Sequence, residues 1–361
     1  MTPYHDANGI TIYHGDCLDV MRALPDGCAD LIVADPPYYR VKDSWWDNQW
    51  KTPAAFLEWL GLVVDELARL MKPNGSLYLF ASPQMAARVE VLIAERLNVL
   101  NGILWLKNDN GSRRHDAQVV ASGMARSYFP DNERIIFAEH YGSDGHAMNG
   151  AGYDQKCDEL RGFVFEPLRA YLAGERDRAG WQNSDINDAW CELKGVNSTS
   201  QTQKWFSSSC FNPPTLEAYL WLRSLFNMNG GDYLQRNYED LRTQYEDLRT
   251  QYEELRTQYE ELRRPFNMTA KKQFTDVWEF TPVLPYPNKH ECEKPPALLS
   301  HIIDVSSRPG AVVFDPFLGS GRSLEVARQM GRTGIGIEVQ EVWCRRAAER
   351  CSQLSLFDVA A

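Results

Sequence analysis

Short apolar runs alternate with helically spaced apolar positions at both ends of the chain. Ile10 to His14 reads as a strand ending at Gly15-Asp16, and Cys17 to Leu24 as a helix stopped by Pro25. Ala29 to Ala34 is an apolar strand. Phe56 to Met71 has helical spacing, Pro73-Asn74-Gly75 breaks it, and Ser76 to Ala81 is the next strand. Met85 to Arg96 predicts a helix, and Gly102 to Leu106 and Arg134 to Ala138 predict strands. Much later the pattern resumes with helix Pro296 to Ser306, strand Ala311 to Phe314, helix Arg322 to Met330, strand Gly334 to Glu338 and a helix from Glu341. This alternation predicts an α/β fold with a doubly wound, mostly parallel sheet and helices on both faces. Residues 1–138 and 275–361 are then two halves of one domain, with 139–274 inserted between them.

The inserted stretch holds a heptad repeat in which Tyr238 and Leu241, Tyr245 and Leu248, Tyr252 and Leu255, and Tyr259 and Leu262 fall on one helical stripe. With Asp232 as N-cap, Gln235 three residues on and Pro265 beyond the last heptad, one long helix over 233–264 is expected. Its stripe must be covered, either by a second copy, giving a homodimer, or by another helix of the chain such as Leu216 to Phe226.

Composition narrows the class. The 361 residues are 43% hydrophobic and carry a formal charge of −11, which argues against a nonspecific polyanion binder but not against DNA. Local basic groups remain at Lys107, Arg113, Arg114, His115, Lys271 and Lys272. No apolar run is long enough to span a membrane, and Met1 to Ile10 lacks the pattern of a secretory signal, so a soluble, cytoplasmic protein is expected. Eight scattered cysteines form no CxxC pair, which predicts reduced thiols and no metal site; His290 and Cys292 have no second pair to complete one.

Two turns carry the candidate chemistry. Asp35-Pro36-Pro37-Tyr38 follows the strand Ala29 to Ala34, and Asp315-Pro316-Phe317-Leu318-Gly319-Ser320-Gly321 follows the strand ending at Phe314. In an open α/β sheet, ligands bind beyond the carboxyl ends of strands. Gly319 and Gly321 permit a tight turn and close backbone approach to a nucleoside, and the helix from Arg322 offers free N–H groups. Glu338, closing the next strand, can accept from two ribose hydroxyls, as in nicotinamide and S-adenosylmethionine folds alike. The prolines after Asp35 remove two N–H donors and leave carbonyls that accept from an amine, and Tyr38 adds a flat stacking face. Acceptors from Asp35 and the Pro36 carbonyl favour a pyramidal, nucleophilic amine nitrogen and stabilise its developing charge.

Together, DPPY ahead of the recognition region and the glycine motif after it resemble the β class of DNA amino-methyltransferases. The likeness covers about Ile10 to Phe137 and Phe274 to Arg350. It implies a circularly permuted, Rossmann-like methyltransferase with a catalytic half at 1–138, a target-recognition region at 139–274 and a cofactor half at 275–361. It implies S-adenosylmethionine as cofactor, with Asp315, Pro316, Phe317, Gly319, Gly321 and Glu338 in its site, Asp16 near its adenine and Lys294 near its methionine carboxylate. Double-stranded DNA is the implied partner. An aspartate opening the tetrapeptide implies N6 of adenine rather than N4 of cytosine, reached by base flipping. Trp45, Trp46 and Trp50 suit a loop closing over that base, although core packing should claim at least one. Arg322 departs from the family's threonine; it either reaches the cofactor carboxylate or, as favoured here, points to solvent. Alternatives are an RNA or protein amide methyltransferase, and an interaction module built on the heptad helix with a degenerate methyltransferase fold.

Overall fold

The computed structural model describes residues 2–107, 131–141, 153–198, 200–269, 274–287 and 289–352. The basic groups Arg113, Arg114, His115, Lys271 and Lys272 lie outside them. Two compact units form, Met1–Asp144 with Arg264–Ala361, and Gly145–Arg263. The second falls inside the expected limits of 139–274 because the strand Asn132–Glu139 belongs to the first unit and the returning chain rejoins that unit at Arg264. Arg264 Nε lies 2.5 Å from the Glu139 carboxylate, and the Phe266 ring stacks on Phe137 at 5.8 Å.

The first unit is built on strands β1 (His5–Ala7), β2 (Ile10–His14), β3 (Ala29–Ala34), β4 (Met71–Ala81), β5 (Asn98–Leu106), β6 (Asn132–Glu139), β7 (Val277–Glu279), β8 (Val312–Asp315) and β9 (Thr333–Glu338). They form one mixed, mostly parallel sheet in the order β1-β2-β9-β8-β3-β4-β6-β5-β7. β2, near the start of the chain, pairs in parallel with β9, near its end, from Ile10 against Gly334 to His14 against Glu338. β3 and β8 are parallel neighbours through Leu31 with Val313 and Ile32 with Phe314. β6 runs antiparallel to β4 and β5, so its first residues share a sheet edge with the carboxyl ends of β3 and β8.

Period-two side chains feed two cores. Ile32, Ala34, Leu77 and Leu79 join one cluster, and Leu31, Val33, Tyr78 and Phe80 the other. Helices α1 (Cys17–Ala23), α2 (Pro53–Leu70) and α3 (Ala86–Ala94) cover the first face. Phe56, Leu60, Val63, Val64 and Leu67 of α2 are almost wholly buried there, each contributing about 1.5–3 kcal/mol. Pro73-Asn74-Gly75 does not separate α2 from β4 as expected but is absorbed in the strand as a bulge, since pairing with β3 jumps from Ala29 with Met71 to Leu31 with Ser76.

The second unit has helices α4 (Tyr153–Val164), α5 (Glu166–Arg178), α6 (Asn183–Lys194), α7 (Leu216–Phe226) and α8 (Tyr238–Leu262). The heptad helix α8 begins five residues later than expected, and Asp232 does not cap it. The cause is a tightly bonded approach. Asn227 accepts from the Tyr233 amide at 2.7 Å, Glu175 accepts from the Leu234 amide at 2.6 Å, and Leu234 sits at φ 55°. Asn237 then accepts from the Glu239 amide at 3.0 Å as the true cap. The stripe is covered from within: Phe165 lies 5.4 Å from Tyr245 and 5.9 Å from Tyr252, and Leu241 is buried. Its main neighbours are α4 and α5 rather than α7. Tyr238, Leu241, Tyr245, Leu248 and Tyr252 of the stripe are thus already packed within the unit.

On the other face of the first unit's sheet lie α9 (Pro296–Ser306), α10 (Arg322–Gln329) and α11 (Glu341–Ser352). No helix among the described residues is long and apolar enough to cross a membrane.

Candidate active site

A cavity of about 380 Å³ opens at the carboxyl ends of β3 and β8. Asp35 to Tyr38, Asp315 to Ser320, Asp16, Lys294 and Glu338 all line it, so both signature turns and both flanking acids face one space. Gly321, which the sequence reading grouped with them, stands one residue behind the wall. It has φ 80°, and a Cβ there would lie 2.7 Å from Ala347 Cβ and 2.8 Å from its Cα, so only glycine lets α11 press against the turn.

The glycine turn is held by buried acids. Glu338 accepts from the Gly319 amide at 2.9 Å and from the Gln340 amide at 2.7 Å. Asp315 accepts from the Phe317 amide at 3.0 Å and from the Ser323 hydroxyl. Burial pushes the Asp315 carboxyl up to about 7 against those bonds, with Asp35 and Glu338 adding to the rise. Burial raises the Glu338 carboxyl too. Asp16 caps α1 through one oxygen, Oδ1, which accepts from the Leu18 amide at 2.9 Å and the Asp19 amide at 3.4 Å. The Gly15 amide donates to the Glu338 carbonyl at 3.0 Å, which ties the β2 turn to the end of β9.

Arg322 neither points to solvent nor reaches the cavity as a free cation. It donates to Glu293 at 2.7 Å and to Glu325 at 2.7 Å. The fully buried Glu293 carboxylate also accepts from Ser320 at 2.8 Å, Tyr286 at 2.7 Å and Arg350 at 3.2 Å. Burial alone would raise Glu293, but those partners hold it at about 2.

The DPPY corner is the most densely charged part of the cavity. Lys294 Nζ lies 2.8 Å from Asp35 Oδ2, 3.0 Å from the Tyr38 hydroxyl and 3.2 Å from Glu133 Oε2. Its three hydrogens meet three partners, two in the tetrapeptide and the third on Glu133. The Tyr38 hydroxyl lies 2.8 Å from Asp35 Oδ1 and 2.9 Å from Glu133 Oε2, with one hydrogen to donate to either. Lys107 pairs with the other Glu133 oxygen, Oε1. Burial raises the Asp35 carboxyl, Lys294 opposes it, and Glu133 raises it again. Burial also raises Glu133, yet Lys294 and Lys107 outweigh it and hold that carboxyl at about 2. Burial works against the Lys294 ammonium, but Asp35 and Glu133 together keep it above its ordinary value.

Glu133 and Lys107 were not singled out as site residues from the sequence. Trp50 packs in the core, 4.6 Å from Trp59 and 5.1 Å from Phe56. Trp45 and Trp46 line the cavity, Trp45 being 60% exposed. Among the described residues no group of His, Cys, Asp or Glu side chains is placed to hold a metal ion.

Residues 29–349, which include both turns, match the DNA methylase family N6_N4_Mtase. The chain belongs to that family. This methylase uses S-adenosylmethionine as its cofactor, and the cavity fits it, with the Gly319 turn in its wall and carboxylates at the ends of neighbouring strands β2 and β9. Among curated relatives, the DNA adenine methyltransferase YhdJ of Escherichia coli K12 is 24% identical over 345 residues, 94% of this chain and 82% of the relative. The type II methyltransferase M.HpaI of Haemophilus parainfluenzae is 40% identical over 89 residues, 23% of this chain and 28% of the relative. The solved PvuII cytosine-N4-specific DNA methyltransferase superposes with a TM-score of 0.51 at 12% identity, covering 98% of this chain and 90% of that one, which shows a shared fold.

Proposed function

We propose that this methylase modifies N6 of an adenine swung out of duplex DNA. The observation that carries the reading is the adjacency of β3 and β8, which opens the Asp35 turn and the Gly319 turn onto one cavity. Asp35 and the Pro36 carbonyl accept the hydrogens of the base amine, favour its pyramidal form and stabilise the positive charge that develops on it. Tyr38 offers the base a flat face. S-adenosylmethionine, when bound, supplies the electrophilic methyl group. Glu338 accepts from its ribose hydroxyls and Asp16 from its adenine amine, while Asp315, Pro316, Phe317, Gly319 and Gly321 shape the turn that lies against it. Lys294 is read as part of the amine corner rather than of the cofactor site.

Adenine is favoured over cytosine because the tetrapeptide opens with Asp35 and because the relative matched along most of the chain is named an adenine methyltransferase. An amine inside a duplex cannot reach this recess, so the base must be extruded, and Trp45 and Trp46 border the cavity that would receive it. A DNA substrate and eight free cysteines favour the cytoplasm.

The test incubates the full protein with methyl-labelled cofactor and, in parallel, unmethylated plasmid DNA, RNA and protein, followed by base-resolved mapping. N6-methyladenine at defined sites is expected. N4-methylcytosine alone, or label in RNA or protein alone, overturns the reading.

A further inference from the structure

We propose that Glu133 is a positioning residue that takes over Lys294 and the Tyr38 hydroxyl when the substrate amine arrives, releasing Asp35 to receive it. The inference rests on the role proposed above for Asp35.

In the structure each Asp35 oxygen already has a partner. One oxygen faces the Lys294 ammonium at 2.8 Å and the other the Tyr38 hydroxyl at 2.8 Å. A base amine has only hydrogens to offer this carboxylate, so both groups compete with it. The ammonium competes twice, because a cation beside Asp35 also opposes the positive charge that develops on the attacked nitrogen. Moving either group away without a second acceptor would strand a buried ammonium or hydroxyl, which is costly.

Glu133 supplies that acceptor. Its Oε2 is 3.2 Å from Lys294 Nζ and 2.9 Å from the Tyr38 hydroxyl, so both can change partner by a tilt and a rotation, with no movement of backbone. Lys107 holds the opposite oxygen and fixes the carboxylate toward the pair. Two carboxylates and two ammonium groups leave the corner balanced before and after the exchange. The arrangement follows from topology: Glu133 sits at the start of β6, directly across from Trp105 of β5, and the reversed direction of β6 brings it to the edge where β3 ends.

The test compares the unsubstituted enzyme with Glu133→Gln, Lys294→Gln and the double variant. It reads single-turnover methylation of unmethylated plasmid DNA at one fixed, mildly alkaline pH, and cofactor affinity by calorimetry. Glu133→Gln keeps the shape but cannot neutralise Lys294, so Lys294 stays on Asp35 and the rate falls about tenfold or more while cofactor affinity holds. Adding Lys294→Gln removes the competing cation, and the double variant is faster than Glu133→Gln alone; a merely structural pair gives no such recovery. A double variant no faster than Glu133→Gln, or full activity in Glu133→Gln, overturns the proposal. Should Glu133→Gln fail to fold, Glu133→Asp retains the charge but withdraws the acceptor from Lys294, and an unchanged rate there overturns it equally. Asp35→Ala, run alongside, separates the two readings: full transfer by that variant sinks the function assigned to the corner, whereas its loss beside a fully active Glu133→Gln sinks only the exchange.

Discussion

The Asp47 carboxylate, fully buried, accepts from the Tyr38 amide at 2.6 Å. It also accepts from the Val41 and Lys42 amides at 2.6 and 2.7 Å, closing the loop that runs from the tetrapeptide to Trp45 and Trp46. Tyr39 and Arg40 stand at φ 63° and 61°, a conformation that non-glycine residues adopt only when the surroundings enforce it. Asp47→Asn turns an amine toward at least one of these donors and leaves it unsatisfied, a cost of about 1–3 kcal/mol. Steady-state kinetics should show turnover lowered by about tenfold or more with cofactor affinity unchanged. Equal loss of cofactor affinity would mean the loop supports the whole fold rather than Tyr38.

Glu338→Gln removes charge from an acceptor already committed to two backbone amides. If the same carboxylate holds the ribose hydroxyls, cofactor affinity falls about 10- to 100-fold, and methylation recovers as cofactor is raised. Calorimetric titration checks the first and steady-state kinetics the second.

Gly321→Ala places a methyl group against Ala347 and in a left-handed conformation, with an expected destabilisation of about 2–4 kcal/mol measured by denaturant unfolding. Reducing Ala347 to glycine in the same chain should return only the steric part.

Burial lowers the His290 imidazole to about 4, where its edge meets Trp343 and its ring lies against Gly319. The unfolded chain binds a proton near pH 6.5 and the folded chain does not, so this residue favours unfolding as pH falls from about 6.5 to 4 and adds nothing further below that window. His290→Gln should flatten the dependence of the melting temperature on pH across that interval, read by calorimetric scans.

The alternation of apolar strands and helices was enough to predict the α/β class, because each element buries one face at its own period. The two signature turns were equally legible, since prolines and glycines mark backbone requirements directly. Glu133 was not, for a reason of direction. Asn132-Glu133 precedes an apolar run, and in a parallel strand that position would lie at the edge away from the site; only the antiparallel pairing of β6, which periodicity does not encode, reverses it. Lys294 was legible as a candidate near the cofactor carboxylate, but its ion pair with Asp35 was not, because residues 259 positions apart have no distance until the chain folds. The heptad stripe showed that a surface had to be covered and could not show that Phe165 covers it.

The pairing of β3 with β8 joins strands almost 280 residues apart, and β2 waits still longer for β9. Translation therefore delivers Asp35 to Tyr38 long before Lys294 and the glycine turn that must stand beside them. A nascent chain emerging from the ribosome has an exposed sheet edge and no complete reaction centre, so competence arrives as one of the last events of folding.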